Sequence, residues 1–271
     1  MKDKYVIASF SGGKDSTAMV LHMIELGEHL DEVICCDTYM EFPSMYEHIA
    51  KVKKIVEDNG IKFTELRSPK SFEYLMFEHE VKHRNKELPQ RIGYSWAGPR
   101  QRWCTTKLKI DIINAYLRDL RKKYDIMQCV GIAFDEAYRL ERKNNQAEDQ
   151  RHPLVEWGWA EEQCLRYCYD KGFDWGGLYE IFRKEVGRCP RVSCWCCPLQ
   201  SFEDLRILRK NFPDLWQRLR DMDRRTWRRF MKNYSVDDLD VRFSFEEERQ
   251  AQGLSITNRE FHTELKKRLG R

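Results

Sequence analysis

The hexapeptide SGGKDS, residues 11–16, lies between an apolar stretch and a helical repeat of apolar side chains. Tyr5–Phe10 is typical of a buried strand, and the apolar positions from Ser16 to Ile24 recur at helical spacing. A turn from a strand into a helix presents unpaired N–H groups and the positive end of the helix dipole, and glycines let the backbone approach a ligand closely. Lys14 adds a cation. This combination predicts a phosphate-binding loop, although the spacing of the eight-residue Walker motif is absent.

The residues that follow continue to alternate between strand and helix. Strands are predicted over Glu32–Cys36, Lys62–Leu66 and Asp125–Ile132, and helices over Ser44–Glu57 and Lys107–Lys123. This order favours a parallel sheet, because helical crossovers return the chain to the same edge. We therefore predict an α/β fold with helices on both faces of the sheet, followed by a mostly helical C-terminal part with a cysteine metal site.

Changes in composition along the chain predict three regions. Residues 1–140 would form the nucleotide-binding α/β domain, and residues 141–200 a substrate- and metal-binding region rich in Trp and Cys. Residues 201–271 would form a basic helical region. With 41% hydrophobic and 34% charged residues, the chain is neither disordered nor fibrous.

The sequence contains no run of about 18 apolar residues and no apolar signal-peptide region near its start. We therefore expect a cytoplasmic protein with no membrane partner. The net charge of +4, from 48 basic and 44 acidic residues, does not by itself indicate nucleic-acid binding. A homodimer is compatible with the sequence, which does not fix the oligomeric state.

The loop and several later segments resemble the phosphoadenosine phosphosulfate reductase-like family of the PP-loop ATP pyrophosphatases. The closest branches are the ATP-sulfurylase small subunit and the DNA-phosphorothioation enzymes, and the resemblance spans roughly residues 5–200. Ala133 and Ala137 depart from the family, which often has Arg and Ser there. The matching segments are Ser11–Ser16, Leu21–His22, Asp37–Pro43, Arg102–Lys109, Gly131–Arg139, and His152–Leu154 with Trp157.

The resemblance implies an adenine nucleotide alpha hydrolase-like (Rossmann-like) fold that binds ATP with Mg²⁺. Asp37 would follow a strand end, where ligands of parallel sheets gather, and could face the ribose or a magnesium-bound water; a solvated loop acid is the alternative. Lys107, Lys109 and Arg139 could neutralise phosphate or sulfate oxygens, or could be ordinary surface charges. The predicted catalytic residues are Lys14, Asp15, Asp37, Lys107 and Arg139. The predicted nucleotide-binding residues are Ser9, Ser11, Gly12, Gly13, Lys14, Asp15, Ser16, Asp37, Thr38 and Gly131.

Four of the ten cysteines fall within residues 189–197. Disulfides are rare in a reducing compartment, so they do not explain this density of cysteines. Cys194 and Cys197 form a C-x-x-C pair suited to one metal centre, with Cys189 as third ligand and Cys104 as fourth. The DNA-phosphorothioation branch is similar and holds a [4Fe–4S] cluster with such segments. Tetrahedral Zn²⁺ would use the same thiolates, and metal-free thiols are a third interpretation. Cys196, between two of the predicted ligands, is either a free, reactive thiol or a packing residue. The other cysteines are interpreted as core or surface thiols: Cys35, Cys36, Cys129, Cys164 and Cys168.

Residues 201–233 carry ten basic side chains against five acidic ones, interleaved with aromatic residues. Such a segment is either a face for a DNA or RNA backbone or a solvated helix surface whose aromatics pack inward. The basic residues are Arg206, Arg209, Lys210, Arg218, Arg220, Arg224, Arg225, Arg228, Arg229 and Lys232.

Three functions remain open from the sequence. The first is an ATP-dependent adenylyl-transferring enzyme of sulfur metabolism or nucleic-acid sulfur modification, which releases pyrophosphate and uses a sulfur donor or a sulfur oxyanion. The second is reduction of phosphoadenylyl sulfate or adenylyl sulfate, against which count the intact loop and the lack of a cysteine after Cys197. The third is a non-catalytic nucleotide- and nucleic-acid-binding module with a structural metal.

Overall fold

A computed structural model describes residues 2–82, 90–141, 147–183 and 189–271. The chain forms two compact units, and both are discontinuous in sequence. The first unit contains Met1–Phe72 and Trp103–Cys194, and the second contains Glu73–Arg102 and Trp195–Arg271. These bounds differ from the three predicted regions, because residues 73–102 belong with the C-terminal helices.

A five-stranded parallel sheet organises the first unit, in the order β3-β2-β1-β6-β7. It has helices around it, as the sequence predicted. The strands are β1 (Lys4–Phe10), β2 (Glu32–Asp37), β3 (Lys62–Arg67), β6 (Asp125–Val130) and β7 (Gln150–Arg151). The helices of this unit begin with α1 (Lys14–Glu25) and α2 (Pro43–Asp58). The next helix along the chain, α3 (Phe72–Phe77), follows β3 and belongs, apart from Phe72, to the second unit.

Trp103–Leu120 is helical in three consecutive pieces, where the sequence predicted one helix over Lys107–Lys123. A π-helical turn interrupts it over Thr106–Ile110, between α4 (Trp103–Thr105) and α5 (Asp111–Leu120). A 3-10 helix covers Phe134–Glu141. The remaining elements of the first unit are α6 (Pro153–Glu156), α7 (Glu161–Asp170), a 3-10 turn (Trp175–Gly177) and α8 (Leu178–Ile181).

The sequence explains where α1 ends and which face of it is buried. Gly27 has a φ of 64°, and the N–H groups of Gly27 and Glu28 donate to the carbonyls of Ile24 and Met23. This is the Schellman arrangement, which only a residue without a Cβ adopts easily. The helix buries Ala18, Met19, Val20 and Met23 completely, so its apolar face is anchored in the core.

The order of the strands positions the predicted loop. From β1 the chain adds β2 and β3 on one side, and later β6 and β7 on the other. The carboxyl ends of β1 and β6 therefore flank the point where the strand order reverses, and ligands of open parallel sheets bind at such points. Ser11–Ser16 follows β1 at that position, and Gly131 follows β6.

The second unit is mostly helical, with α9 (Phe202–Asn211), α10 (Pro213–Arg224), α11 (Val236–Ala251) and α12 (Arg259–Arg268). A short antiparallel pair joins β4 (Glu80–Val81) and β5 (Arg91–Ile92). The buried Trp96 indole donates a 2.7 Å hydrogen bond to Asp223 and packs edge-on against Phe230. These contacts fix residues 73–102 to the C-terminal helices.

Candidate nucleotide site

Hydrogen bonds within the loop hold Ser11–Ser16 in a tight turn. The Ser16 hydroxyl lies 3.1 Å from both the N–H and the hydroxyl of Ser11, and it donates to the Gly13 carbonyl at 3.0 Å. The Gly13 N–H points to the Ser11 hydroxyl at 3.4 Å. The two serines thus close the turn on each other, and α1 begins at Lys14 with its N-terminus facing the turn.

Two glycines are required by close packing. Gly12 has a φ of 79°, and a Cβ on it would lie 2.9 Å from side-chain atoms of Ile49 and Met45 on α2. A Cβ on Gly131 would lie 3.1 Å from the Cα and the N of Ser16. The chain after β6 therefore passes directly against the start of α1, and the predicted contact of Gly131 with the nucleotide stays a prediction.

Two aromatic side chains that the sequence analysis did not select hold the loop from outside. The Trp175 indole donates a 2.8 Å hydrogen bond to the Gly12 carbonyl, and the Tyr179 hydroxyl accepts one of 2.9 Å from the Lys14 N–H. The two rings pack edge to face at 4.7 Å. Burial raises the pKa of Tyr179, so its hydroxyl remains protonated.

His48 on α2 completes this aromatic support. Its ring stacks on Trp175 at 4.3 Å, and its Nε2 lies 2.9 Å from the Thr17 hydroxyl. Burial, reinforced by the nearby charge of Lys51, lowers the pKa of His48 to about 3. The imidazole is therefore neutral near pH 7 and serves packing.

Lys14 is 3% exposed and contacts two carboxylates. Its Nζ lies 2.9 Å from Asp15 Oδ2 and 2.9 Å from Glu161 Oε1. Burial opposes its charge, but Asp15 and Glu161 outweigh that effect and raise the pKa of Lys14. Burial raises the pKa of Asp15, which Lys14 partly offsets. The Asp15 Oδ1 atom is buried and has no partner among the described residues.

Asp37 is the last residue of β2 and Thr38 follows it, whereas the sequence predicted that Asp37 lies beyond the strand end. Asp37 Oδ1 accepts hydrogen bonds from the Tyr39 N–H at 2.7 Å and the Tyr46 hydroxyl at 2.9 Å, and Oδ2 pairs with Arg67 at 3.1 Å. These contacts stabilise a turn in which Tyr39 has a φ of 68°. The Asp37 carboxylate therefore shapes the loop after β2, and its predicted contact with ribose or Mg²⁺ stays a prediction.

The other predicted site residues have protein partners of their own. Ser9 accepts a 2.8 Å hydrogen bond from Gln128 of the neighbouring strand. Lys107 pairs with Asp111 one turn along, at 2.7 Å, and Arg139 pairs with Glu136 at 2.6 Å. Lys107 thus contacts its own helix, whereas Glu136 is part of a larger ion-pair network at the loop.

The predicted metal ligands are divided between the units, with Cys104, Cys189 and Cys194 in the first and Cys197 in the second. Cys194 Sγ lies 3.4 Å from Glu41 Oε1 and 3.7 Å from the Thr38 hydroxyl. Burial raises the pKa of Cys189 to about 12, with a further contribution from its hydrogen bond to Glu162. In the described parts of the chain, no three His, Cys, Asp or Glu residues gather as a metal site. The predicted ligand set of Cys104, Cys189, Cys194 and Cys197 stays a prediction.

Many basic side chains of residues 201–233 form ion pairs within the second unit. Arg206 pairs with Glu246 at 2.7 Å, Arg209 with Asp240 at 2.8 Å and Arg218 with Glu73 at 2.8 Å. Arg220 and Arg224 both pair with Asp237, and the Arg225 guanidinium lies 3.9 Å from the centre of the Phe77 ring. The segment is therefore largely charge-compensated, and its predicted contact with nucleic acid is untested.

Comparison with known proteins identifies the family. The family model for the phosphoadenosine phosphosulfate reductase domain matches residues 5–200, so the chain belongs to this family of the PP-loop superfamily. Two curated relatives from Methanocaldococcus jannaschii are each 24% identical. The match to uncharacterized protein MJ0066 covers 86% of this chain and 42% of that protein. The match to uncharacterized protein MJ0973 covers 89% of this chain and 51% of that protein. The chain thus spans about half the length of these relatives.

The solved structures that match include that of the U34-tRNA thiolase NcsA from Methanococcus maripaludis with its [4Fe–4S] cluster. It shares 16% identity, covers 82% of this chain and 72% of its own, and gives a TM-score of 0.41.

Within the described ranges of the present chain, no helix has the length and apolar character needed to cross a bilayer.

Proposed function

We propose that the protein is an ATP pyrophosphatase that transfers the adenylyl group of ATP to an oxygen of an acceptor. The observation that carries this proposal is the intact loop at the point where the strand order reverses. Ser11–Ser16 combines the start of α1, a closed serine turn and the Lys14 ammonium. Family membership supports the same assignment.

In the proposed reaction, an acceptor oxygen attacks the α-phosphorus of ATP in line with the bond to the bridging oxygen of the β-phosphate. That bond breaks, and its electron pair leaves with pyrophosphate. Mg²⁺ on ATP would neutralise part of the phosphate charge. The positive end of the α1 dipole and the Lys14 ammonium would stabilise the charge that develops on the leaving group. Catalysis would thus rest mainly on positioning and electrostatics.

Further predicted residues take supporting roles in this proposal. Asp15 would keep Lys14 oriented, because the two side chains are in contact. Gly131 would leave room for the start of α1, and Asp37 and Thr38 would border the nucleoside from the turn after β2. Lys107, Arg139 and Ser9 stay proposed site residues.

Sulfur chemistry is the proposed purpose of the activation. The acceptor would be a nucleic-acid base or backbone, or a small sulfur oxyanion, and a sulfur donor would act on an adenylylated nucleic-acid acceptor. Cys104, Cys189, Cys194 and Cys197 stay the proposed ligands of a [4Fe–4S] cluster or Zn²⁺. No step of the adenylyl transfer depends on that centre.

The test follows ATP labelled at the α-phosphate, with Mg²⁺ under anaerobic conditions, offered separately with sulfate, RNA and DNA. The proposal expects labelled AMP or an adenylylated product, together with one pyrophosphate for each ATP consumed. The Lys14→Ala variant should lose this activity. Lys54→Ala, which removes an exposed lysine paired with Asp58 on α2, is the matched control and should retain it.

The acceptor arms separate the alternatives. Stimulation by RNA or DNA that is lost with rising salt would indicate a backbone-binding acceptor. Stimulation by sulfate would indicate a sulfur oxyanion. No turnover of ATP, combined with release of sulfite from adenylyl sulfate or phosphoadenylyl sulfate, would replace the proposal with the reductase. No turnover with any substrate, with salt-dependent nucleic-acid binding, would favour the binding module.

A further inference from the structure

The Glu161 carboxylate joins the loop lysine to an arginine 30 residues further along the chain. Its Oε1 atom accepts a hydrogen bond from Lys14 Nζ at 2.9 Å and lies 3.1 Å from Arg191 Nε in an ion pair, and its Oε2 atom accepts a hydrogen bond from Arg191 Nη2 at 3.1 Å. The Glu161 side chain is 11% exposed. One buried carboxylate therefore holds two cations side by side.

A second buried carboxylate extends this network. Glu136 Oε2 accepts from Arg139 at 2.6 Å, and Glu136 Oε1 accepts from Arg191. Lys14, Arg139 and Arg191 thus alternate with Glu136 and Glu161 in a continuous chain of contacts. With Asp15 included, three positive and three negative side chains balance one another at the loop.

Exposure distinguishes the cations of this network. The Arg191 side chain is 59% exposed, whereas that of Lys14 is 3% exposed. Among the described residues, none accepts a hydrogen bond from Arg191 Nη1, so part of the guanidinium faces outward. A guanidinium can bind two phosphate oxygens at once, and phosphate is a stronger match for it than water.

We propose that Arg191 is a second phosphate-binding cation of the Ser11–Ser16 loop. This inference rests on the proposed function, because it assigns a further contact to the same nucleotide. A bound polyphosphate near Lys14 would contact the outward edge of Arg191 while Glu161 holds both cations in place.

Arg191 also connects the phosphate site to the cysteine segment, since it lies between Cys189 and Cys194. An ATP contact at Arg191 would restrain residues 189–194 relative to α1. By linkage, a state of the segment in which Arg191 does not contact ATP would bind ATP more weakly. The factor by which the affinity falls equals the factor by which bound ATP disfavours that state. The nucleotide and the thiols would thus be coupled through one side chain.

The test measures equilibrium binding of ATP and of inorganic pyrophosphate to the full chain, together with backbone hydrogen exchange over residues 189–194. In the wild type, either ligand should slow exchange in this segment. Arg191→Ala should weaken both ligands by about tenfold or more, since it removes a charge-assisted contact and leaves Glu136 and Glu161 less neutralised. It should also abolish the ligand-dependent protection, and Arg191→Lys should recover part of the affinity.

Arg183→Ala is the matched control, because Arg183 lies in the same unit and pairs with Glu162 and Glu180 without contacting the loop. It should bind both ligands as the wild type does. Wild-type affinity in folded Arg191→Ala would overturn this inference and leave the proposed function intact. Failure of the wild type itself to bind ATP and pyrophosphate would overturn both. A circular dichroism spectrum identical to that of the wild type confirms that the variant is folded.

Discussion

The hydroxyl of Tyr179 accepts a hydrogen bond of 2.9 Å from the backbone N–H of Lys14, across 165 residues of sequence. Tyr179 is 3% exposed, so this N–H at the start of α1 is satisfied by a side chain inside the protein. The phosphate loop is therefore supported by the segment that follows α7, and its shape depends on contacts that form only in the folded chain.

The first prediction concerns that hydroxyl. Tyr179→Phe keeps the ring against Trp175 but leaves the buried Lys14 N–H without its acceptor, which should lower the free energy of unfolding by about 1–3 kcal/mol. Urea denaturation measures the difference. Tyr169→Phe removes a partly exposed hydroxyl that donates to Glu180, and it should lose less. Equal losses in the two variants would contradict the assigned role of Tyr179.

The second prediction concerns the passage of the chain after β6. Gly131→Ala should push α1 and the loop apart, because the added Cβ would meet backbone atoms of Ser16 at 3.1 Å. Overpacking of this kind destabilises by about 1–3 kcal/mol, and the affinity for pyrophosphate should fall with it. Calorimetry of pyrophosphate binding and urea denaturation measure the two effects.

Gly98→Ala is the control for Gly131→Ala. The atoms nearest to a Cβ at position 98 would be those of the Arg228 guanidinium, the end of a flexible side chain that can move aside. Unchanged pyrophosphate binding in Gly131→Ala would show that the close approach to Ser16 does not set the loop geometry.

The third prediction is a pH dependence. Burial lowers the pKa of His48 to about 3, whereas an unfolded histidine titrates near its usual value of about 6.5. Below that value His48 binds a proton in the unfolded chain but stays neutral in the folded chain, so the free energy of unfolding falls as pH decreases. Between pH 6.5 and pH 5 this single group should remove about 2 kcal/mol.

His48→Gln keeps a polar group beside the Thr17 hydroxyl and removes the titration. Its free energy of unfolding, measured in urea at pH 7 and pH 5, should change less with pH than that of the wild type. His29→Gln is the control, because His29 is 69% exposed and contacts Asp31 at the surface. A wild-type pH slope in His48→Gln would show that the imidazole does not stay neutral in the fold.

The fourth prediction concerns the cysteines. Protein purified anaerobically should contain iron with acid-labile sulfide, or zinc, and Cys194→Ser and Cys197→Ser should each lower that content severely. Cys129→Ala should keep it, because Cys129 is buried in β6. Metal analysis and sulfide assay give the readout. The metal hypothesis would be wrong if the wild type contained no bound metal and if chelators and air left its absorbance and fold unchanged.

Local periodicity was sufficient to predict β1, α1, β2, α2, β3 and β6 within a few residues, because each is defined by neighbouring side chains. The loop was equally readable, since SGGKDS between a strand and a helix has few other interpretations. The sequence did not predict that Trp175 and Tyr179 contact the loop, that Glu161 contacts Lys14, or that Arg191 contacts Glu161. Glu161 meets Lys14 across 147 residues, and nothing in the spacing of either residue indicates the pair. The π-helical turn at Thr106–Ile110 was also not predicted, because its local sequence is typical of an ordinary α-helix.

The discontinuous second unit has a consequence for how this chain can be divided. The family-matched region ends at residue 200, yet residues 73–102 inside it belong with α9–α12 beyond it. A truncation at that boundary would take Asp223 and Phe230 away from Trp96, which is 1% exposed in the intact chain, and leave a bare indole. Recombinant work on the nucleotide site is therefore best done with the C-terminal helices attached, and libraries that shuffle the region up to residue 200 should carry α9–α12 along with it.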